Sequence, residues 1–138
     1  MMFVEPSFLI NLYAQKATDH QESVKIFQKL DGINLVISYM VIAEVLTVLR
    51  KLKQEDITVE NAYNSMIREM IVIDDTSYYE KSFKACLVNE IGFFDNVYHI
   101  LMKDLKIKDI LSFDHDFDIF DDIRRISSSK HFDQYLKK

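Results

Sequence analysis

Short runs of consecutive apolar residues recur along the chain, and longer amphipathic stretches separate them. The runs that predict β-strands cover residues 3–5, 35–38, 71–74 and 110–113, with a weaker one at 124–126. Apolar residues follow one another directly within these runs instead of alternating with polar ones, which is typical of strands buried on both faces. The pattern therefore predicts an α/β fold in which helices cover a parallel sheet.

The stretches between the strands have the three-to-four-residue apolar spacing of amphipathic helices. They predict helices at about residues 7–14, 19–30, 39–52, 58–69, 77–90 and 94–105. Thr18 with Gln21 and Ser77 with Glu80 have the spacing of a capping box, and Gly92 stands where a helix is expected to end. Parallel strands bring their C-terminal ends to one edge of the sheet, so we expect a ligand site at that edge.

Length and residue usage narrow the classes of protein further. At 138 residues, the chain fits one compact domain over residues 1–138. The chain has only two glycines, Gly32 and Gly92, so it contains neither a G-x-G-x-x-G nor a G-x-x-x-x-G-K-[ST] phosphate-binding loop. The single cysteine, Cys86, allows neither an internal disulfide nor a thiolate zinc site. The apolar runs are too short for a bilayer and the N-terminus lacks the basic start of a signal peptide, so we expect a cytoplasmic protein.

The formal charge of -5 argues at first against a protein that binds nucleic acid phosphates through general electrostatic attraction. However, five acids lie within residues 114–122, a segment that contains no Lys or Arg. The rest of the chain has 17 acids and 17 basic residues, so it is neutral. Setting Glu5, Glu44 and Asp95 aside as well leaves a scaffold of charge +3. The negative charge is therefore concentrated in a few places.

Four carboxylates from separate parts of the sequence are predicted to meet at the C-terminal edge of the sheet. Glu5 ends the first strand, Asp114 closes the fourth, and Asp95 begins a helix. Glu44 lies in an otherwise apolar helix segment, where an unpaired acid is costly. Four carboxylates at one edge repel one another unless a cation binds, and hard oxygen ligands suit Mg²⁺ or Mn²⁺.

Taken singly, each acid also has a structural explanation. Asp95 could serve only as a helix cap, Asp114 could begin a turn, and Glu5 could be a strand-end residue that faces water. Glu44 could pair with Arg50 or Lys51 on the next turns of its helix, or with a basic residue from elsewhere. These alternatives stay open for the individual residues, and only the combination of the four indicates a metal site.

Four short motifs contain these acids. They are FVEPSFLI at 3–10, SYMVIAEV at 38–45, FDN at 94–96 and LSFDHDF at 111–117. In this order and at these intervals, the motifs resemble the four acidic motifs of the PIN-domain family, and in particular those of toxin ribonucleases from VapBC-type toxin-antitoxin pairs. The resemblance extends from residue 3 to about residue 126.

The resemblance implies a three-layer α/β/α fold with a central parallel sheet of four to five strands. It also implies an endoribonuclease that hydrolyses phosphodiester bonds of single-stranded RNA with a metal-activated water. The implied partners are the RNA substrate, a cognate antitoxin protein and a second copy of the chain in a homodimer.

The family's site residues can be placed on this chain one by one. Four acids would be the catalytic residues and would hold one or two Mg²⁺ or Mn²⁺ ions, namely Glu5, Glu44, Asp95 and Asp114. Either Asp116 or Asp118 would add an auxiliary ligand. The hydroxyl groups that would orient these carboxylates belong to Ser7 and Ser112.

Two departures from the family pattern define an alternative function. The first acid of the family is normally Asp, whereas this chain has Glu5, whose extra methylene changes the metal geometry. The Asp of the third motif is normally followed by a small residue, whereas this chain has Asn96. The alternative is a catalytically weakened PIN-fold protein that acts as a protein-binding module.

Aromatic and basic residues near the motifs are assigned to structure first. We expect core or dimer-interface positions for the aromatic residues Tyr78, Tyr79, Phe93 and Phe94, in preference to stacking on RNA bases. Basic residues at the end of a predicted helix favour the helix dipole, although they could also guide RNA; they are Arg50, Lys51 and Lys53.

Overall fold

Five parallel strands form the centre of the molecule. The computed structural model describes residues 1–136. The strands are β1 (Met2–Val4), β2 (Leu35–Ser38), β3 (Ile71–Ile73), β4 (Asp109–Leu111) and β5 (Arg124–Ile126). They lie in the order β3-β2-β1-β4-β5. The three inner strands are the most deeply buried, which explains their uninterrupted apolar runs.

Helices cover the sheet on both faces. They are α1 (Pro6–Tyr13), α2 (His20–Phe27), α3 (Tyr39–Lys51), α4 (Asp56–Glu69), α5 (Tyr79–Asn89), α6 (Phe93–Asp104) and α7 (Ser129–Leu136). Two short 3₁₀ turns lie at Thr76–Tyr78 and His115–Ile119. The predicted three-layer α/β/α fold with a parallel sheet is confirmed. Within the described residues, no helix is both long enough and apolar enough to cross a membrane.

The ends of several helices differ from the sequence prediction. Neither predicted capping box forms, because α2 and α5 begin without any side-chain cap. Ser77 lies inside the first 3₁₀ turn, and α5 ends at Asn89, which is followed by Glu90 with a left-handed backbone (φ of 60°). Gly92 does not end α5 but stands directly before α6. Helix α7 and the 3₁₀ turn at His115–Ile119 were not predicted.

The core is centred on the inner strands and on the helix faces that cover them. Phe3 of β1 pairs in register with Val36 of β2 and with Ile110 of β4, and all three are buried. Buried Val41, Val45 and Leu49 form a stripe along α3, at the spacing that keeps side chains on one helix face. This packing fixes the C-terminal ends of the strands, and the polar residues that follow them, at one edge.

Candidate active site

Glu5 follows β1 directly and its carboxylate is tightly held. The residue is only 5% exposed. Its Oε2 accepts hydrogen bonds from the hydroxyl groups of Ser7, at 2.6 Å, and Ser112, at 2.7 Å. The backbone N–H of Ser7 donates to both carboxylate oxygens at 3.1 Å. Burial raises the pKa of Glu5 to about 7, although the hydrogen bonds oppose this shift.

The two serine hydroxyls also connect Glu5 to the loop after β4. The Ser7 Oγ accepts the backbone N–H of Phe113 at 2.9 Å, and the Ser112 Oγ accepts that of Asp114 at 2.9 Å. The two hydroxyl oxygens are themselves 3.3 Å apart. The start of α1 and the end of β4 are therefore joined around one carboxylate, so Glu5 has little freedom to reorient.

Three aspartates form the densest group of acids. One carboxylate oxygen each of Asp95, Asp114 and Asp116 lies within 4.8 Å of the others. Asp95 stands in the first turn of α6, and Asp114 accepts the backbone N–H of Asp116 at 2.9 Å. Burial raises the pKa of Asp95 to about 7, and the charges of Asp114, Glu5 and Asp116 add to the shift. We call these three residues the aspartate cluster.

Glu44 lies near the aspartate cluster on α3, the helix that follows β2. It is half-buried, and its pKa is raised by burial and then by the charges of Asp95 and Asp114. It does not pair with the basic residues of its own helix. Arg50 instead forms an ion pair with Asp56 at 2.6 Å.

The second candidate for an auxiliary ligand, Asp118, has different partners. Its carboxylate accepts two hydrogen bonds from the Arg125 guanidinium, at 2.9 Å and 3.1 Å. His115 Nδ1 lies 3.5 Å away from it. The Arg125 contacts hold the pKa of Asp118 below its usual range. The structure thus brings Asp116, and not Asp118, to the aspartate cluster.

The acids at this edge lack counter-charges. Among residues 1–136, no Lys, Arg or His forms an ion pair with Glu5, Glu44, Asp95, Asp114 or Asp116. The hydroxyl groups of Ser38 and Tyr98 are also buried, and neither has a hydrogen-bond partner among the described residues. Crowded carboxylates without a basic partner are donors that suit a divalent cation, and burial raises the pKa of three of them, Glu5, Glu44 and Asp95. The residues present therefore fit a Mg²⁺ or Mn²⁺ site.

The sequence reasoning missed Asp75, which is completely buried. Its carboxylate accepts the Met40 N–H at 3.0 Å and the Tyr79 hydroxyl at 2.7 Å. Asp75 therefore caps α3 from a different segment, while Ser38, the residue before α3, provides no side-chain cap. Asp74 and Asp75 both follow β3 in the sequence, and no local pattern distinguishes the buried acid from the exposed one.

Asn96, which departs from the family pattern, is also buried and fully hydrogen-bonded. Its side-chain N–H groups donate to Asn89 Oδ1 and to the carbonyl groups of Ile91 and Gly92, at 3.1–3.3 Å. Its Oδ1 accepts from Asn89 Nδ2 at 2.8 Å. The amide thus ties the loop between α5 and α6 to the first turn of α6, next to Asp95. A larger residue after the third acid therefore has a structural reason in this chain.

Comparison with known proteins places this arrangement in a family. A family model described as PIN domain matches residues 2–123. The chain belongs to the PIN-domain family. No curated protein matches the sequence.

Solved structures of low sequence identity share this PIN fold. VapC20 of Mycobacterium tuberculosis, described as a toxin that cleaves the sarcin-ricin loop, has a TM-score of 0.79 at 18% identity, over 90% of this chain and 99% of its own. PAE2754 of Pyrobaculum aerophilum has a TM-score of 0.70 at 12% identity, over 99% of this chain and 96% of its own. VapBC2 of Rickettsia felis, bound to a DNA fragment from its promoter, has a TM-score of 0.68 at 13% identity, over 94% and 100%.

Proposed function

We propose that this PIN domain is a metal-dependent endoribonuclease of the VapC type that hydrolyses phosphodiester bonds in single-stranded RNA. The observation that carries the proposal is the meeting of Glu5, Glu44 and the aspartate cluster at one sheet edge without counter-charges. Family membership supports it, and so does the fold shared with an RNA-cleaving toxin.

The acids divide into two groups in this proposal. The aspartate cluster, together with Glu44, would hold Mg²⁺ or Mn²⁺, with Asp116 in the auxiliary position in preference to Asp118. A bound divalent ion supplies an activated water for attack on phosphorus and stabilises the charge that develops on the phosphate. Two donated hydroxyls occupy Glu5 Oε2, so Oε1 is the oxygen that Glu5 would present to the site. Ser7 and Ser112 would fix that orientation.

A second candidate function follows from the position of Glu5. Glu5 is not one of the three acids whose oxygens lie within 4.8 Å of one another, and its carboxylate is drawn toward Ser7 and Ser112. A site that has only the aspartate cluster as ligands would be weakly active. In that case the protein would act as a PIN-fold binding module for another protein.

The partners of this PIN domain follow from the same family. We propose a cognate antitoxin, because a VapBC complex is among the proteins that share this fold. We also propose a homodimer, which rests on the family resemblance alone. The test is co-expression with the product of a short neighbouring gene, followed by light scattering of the purified protein. A monomer that no neighbouring gene product binds would contradict both assignments.

Cleavage of a defined RNA pool tests the proposed reaction. We expect wild-type protein to cleave single-stranded RNA with Mg²⁺ or Mn²⁺ and to stop cleaving in EDTA. We expect Asp95→Asn to be inactive, because the carboxylate is replaced by a neutral amide of the same shape. Equal activity of the two proteins would contradict the role of Asp95, and inactivity of both would favour the binding module.

A further inference from the structure

A groove along α3 begins at the acids of the proposed site and leads away from them. It has a volume of about 660 Å³ and is lined by α3, α5 and α6. The lining residues that matter here are Tyr39, Glu44, Lys51, Tyr79 and Phe94. We call it the α3 groove. Because Glu44 lines it and also interacts with Asp95 and Asp114, the groove is continuous with the acidic site.

Two aromatic rings in the α3 groove are unusually exposed. Tyr39 is 52% exposed and Phe94 is 49% exposed, although large aromatic side chains normally bury most of their surface. Phe94 was expected in the core or in a dimer interface, yet within one chain half of it faces solvent. Exposed rings beside a nuclease site are suitable surfaces for stacking nucleobases.

A basic side chain lines the far part of the α3 groove. Lys51 lies seven residues after Glu44, which places it on nearly the same face of α3 and about 10 Å further along the helix axis. The adjacent Arg50 is held by Asp56, whereas Lys51 forms no ion pair within the described part of the chain. Lys51 is therefore available for a phosphate group.

The other cavity at the acidic site is much less suited to an RNA strand. It has a volume of about 490 Å³ and is lined by Glu90, Asp95 and Asp116 along with uncharged residues and His115. No Lys or Arg is among the residues that line it. With a metal ion bound to Asp95 and Asp116, this cavity still has the negative charge of Glu90, whereas the α3 groove has the positive charge of Lys51. The α3 groove is therefore the more favourable path for a polyanion.

We propose that the α3 groove binds the single-stranded RNA segment that flanks the scissile phosphate. Bases of this segment stack on Tyr39 and Phe94, and Lys51 contacts a phosphate. The inference rests on the proposed ribonuclease function, because that function brings RNA to Glu44. A protein helix or a second copy of the chain would also fit an apolar groove. Neither explains why the unpaired Lys51 lies in the same groove as Glu44, next to the site where a phosphate would bind.

RNA binding by matched variants tests this inference. The probe is a fluorescein-labelled oligo(U) decamer in Ca²⁺, an ion that takes the same carboxylate ligands, with the probe checked for integrity on a gel. The variants are Tyr39→Ala, Phe94→Ala and Lys51→Ala. Each control replaces an exposed residue of the same type outside the groove, namely Tyr63→Ala, Phe83→Ala and Lys81→Ala.

We expect Tyr39→Ala and Phe94→Ala each to weaken RNA binding about fivefold or more, because each removes one stacking surface. Lys51→Ala should lower the slope of log K against log[salt] by about 0.7, the value for one phosphate contact with a single strand. The three controls should bind RNA as wild type does. Mn²⁺ binding should be unchanged in all six variants, which shows that the site itself is intact.

Two results would overturn the inference while leaving the ribonuclease in place. In the first, the wild-type protein cleaves RNA, but all three groove variants bind RNA as tightly as wild type. The other is Phe94→Ala converting a dimer into monomers, measured by light scattering, without weakening RNA binding, because a second copy then covers the groove. Conversely, RNA binding with the expected variant pattern but no cleavage would support the groove and contradict the proposed activity.

Discussion

The acidic edge of this PIN domain consists of two regions that differ in how many hydrogen-bond donors surround their carboxylates. Around Glu5, the hydroxyls of Ser7 and Ser112 and a backbone N–H surround one buried carboxylate. In the aspartate cluster, three carboxylates lie close together, and among the described residues the one hydrogen bond to them comes from the backbone N–H of Asp116 to Asp114.

The comparison shows how one protein can fix an acid in two ways. Hydrogen bonds within the chain orient Glu5 whether or not a cation is present. The members of the aspartate cluster repel one another unless a positive charge lies between them. We therefore expect substitutions in the cluster to act mainly on metal binding and activity, and substitutions around Glu5 to act on orientation.

The largest difference between neighbouring acids should appear in RNA cleavage. Asp114→Asn should lower the rate of Mn²⁺-dependent cleavage by about 10³-fold, because it removes several kcal/mol of transition-state stabilisation. Asp118→Asn, four residues later, should change the rate less than about threefold, since Arg125 already holds that carboxylate away from the cluster. Similar losses in both variants would contradict the separation of these two acids.

The pH dependence of Mn²⁺ binding tests whether carboxyl groups of the site must lose a proton before the ion binds. Glu5 and Asp95 each have a pKa of about 7 in the metal-free protein, so both must lose a proton before they bind a cation well. Titration calorimetry should give an apparent affinity that falls about tenfold from pH 8 to pH 6 for each carboxyl that must ionise. An affinity that is constant over this range would contradict the raised pKa values.

Glu5 and Asp95 also determine how the stability of the metal-free protein changes with pH. Their folded-state pKa values lie above the ordinary values of 4.5 and 3.8, so the fold favours the protonated form. This contribution is complete below those ordinary values and is lost as the pH rises through about 7. Thermal unfolding in EDTA should therefore occur at lower temperature at pH 8 than at pH 5.5, and Mn²⁺ should reverse the loss at pH 8.

The hydroxyl groups around Glu5 should have a smaller effect on the metal. Ser112→Ala removes a hydrogen bond to Glu5 Oε2 and the acceptor of the Asp114 N–H. We expect Mn²⁺ affinity to fall about tenfold, as is typical when a group that orients a ligand is lost. Ser65→Ala, which removes a hydroxyl that donates to Glu69 on α4, is the matched control and should bind Mn²⁺ like wild type.

The smallest effect concerns stability alone. Asp75→Ala removes the cap of α3 and leaves the Tyr79 hydroxyl without its partner, which should cost about 2 kcal/mol in urea unfolding. The adjacent Asp74→Ala should cost about 0.5 kcal/mol, because Asp74 is exposed and only closes a turn with Thr76. Equal costs would show that Asp75 does not stabilise the start of α3.

The sequence predicted the parts of the fold that depend on local pattern. Buried parallel strands need consecutive apolar residues, so all five strands were placed within about a residue or two. The predicted strand ends placed Glu5 and Asp114 at one edge, because parallel strands end at the same edge, whereas Asp95 was identified at the start of a helix. Local spacing did not determine the helix starts: the hydroxyls of Thr18 and Ser77 stood at the right distance from a partner, yet neither capping box formed.

The parts that the sequence did not reveal depend on contacts between distant segments. Asp75 caps a helix that begins 36 residues earlier, and no local spacing records such a contact. The choice between Asp116 and Asp118 depends on Arg125, which reaches back from β5. Both residues follow the same pattern in the sequence, and only the three-dimensional position of the guanidinium separates them.

Mn²⁺ binding to Asp116→Asn and Asp118→Asn tests the central claim most directly, because it needs neither RNA nor catalysis. Titration calorimetry at pH 8 should show one or two sites in wild type, at least about tenfold weaker binding in Asp116→Asn, and unchanged binding in Asp118→Asn. Wild-type protein that binds no Mn²⁺, or equal binding by the two variants, would contradict a cation site in the aspartate cluster.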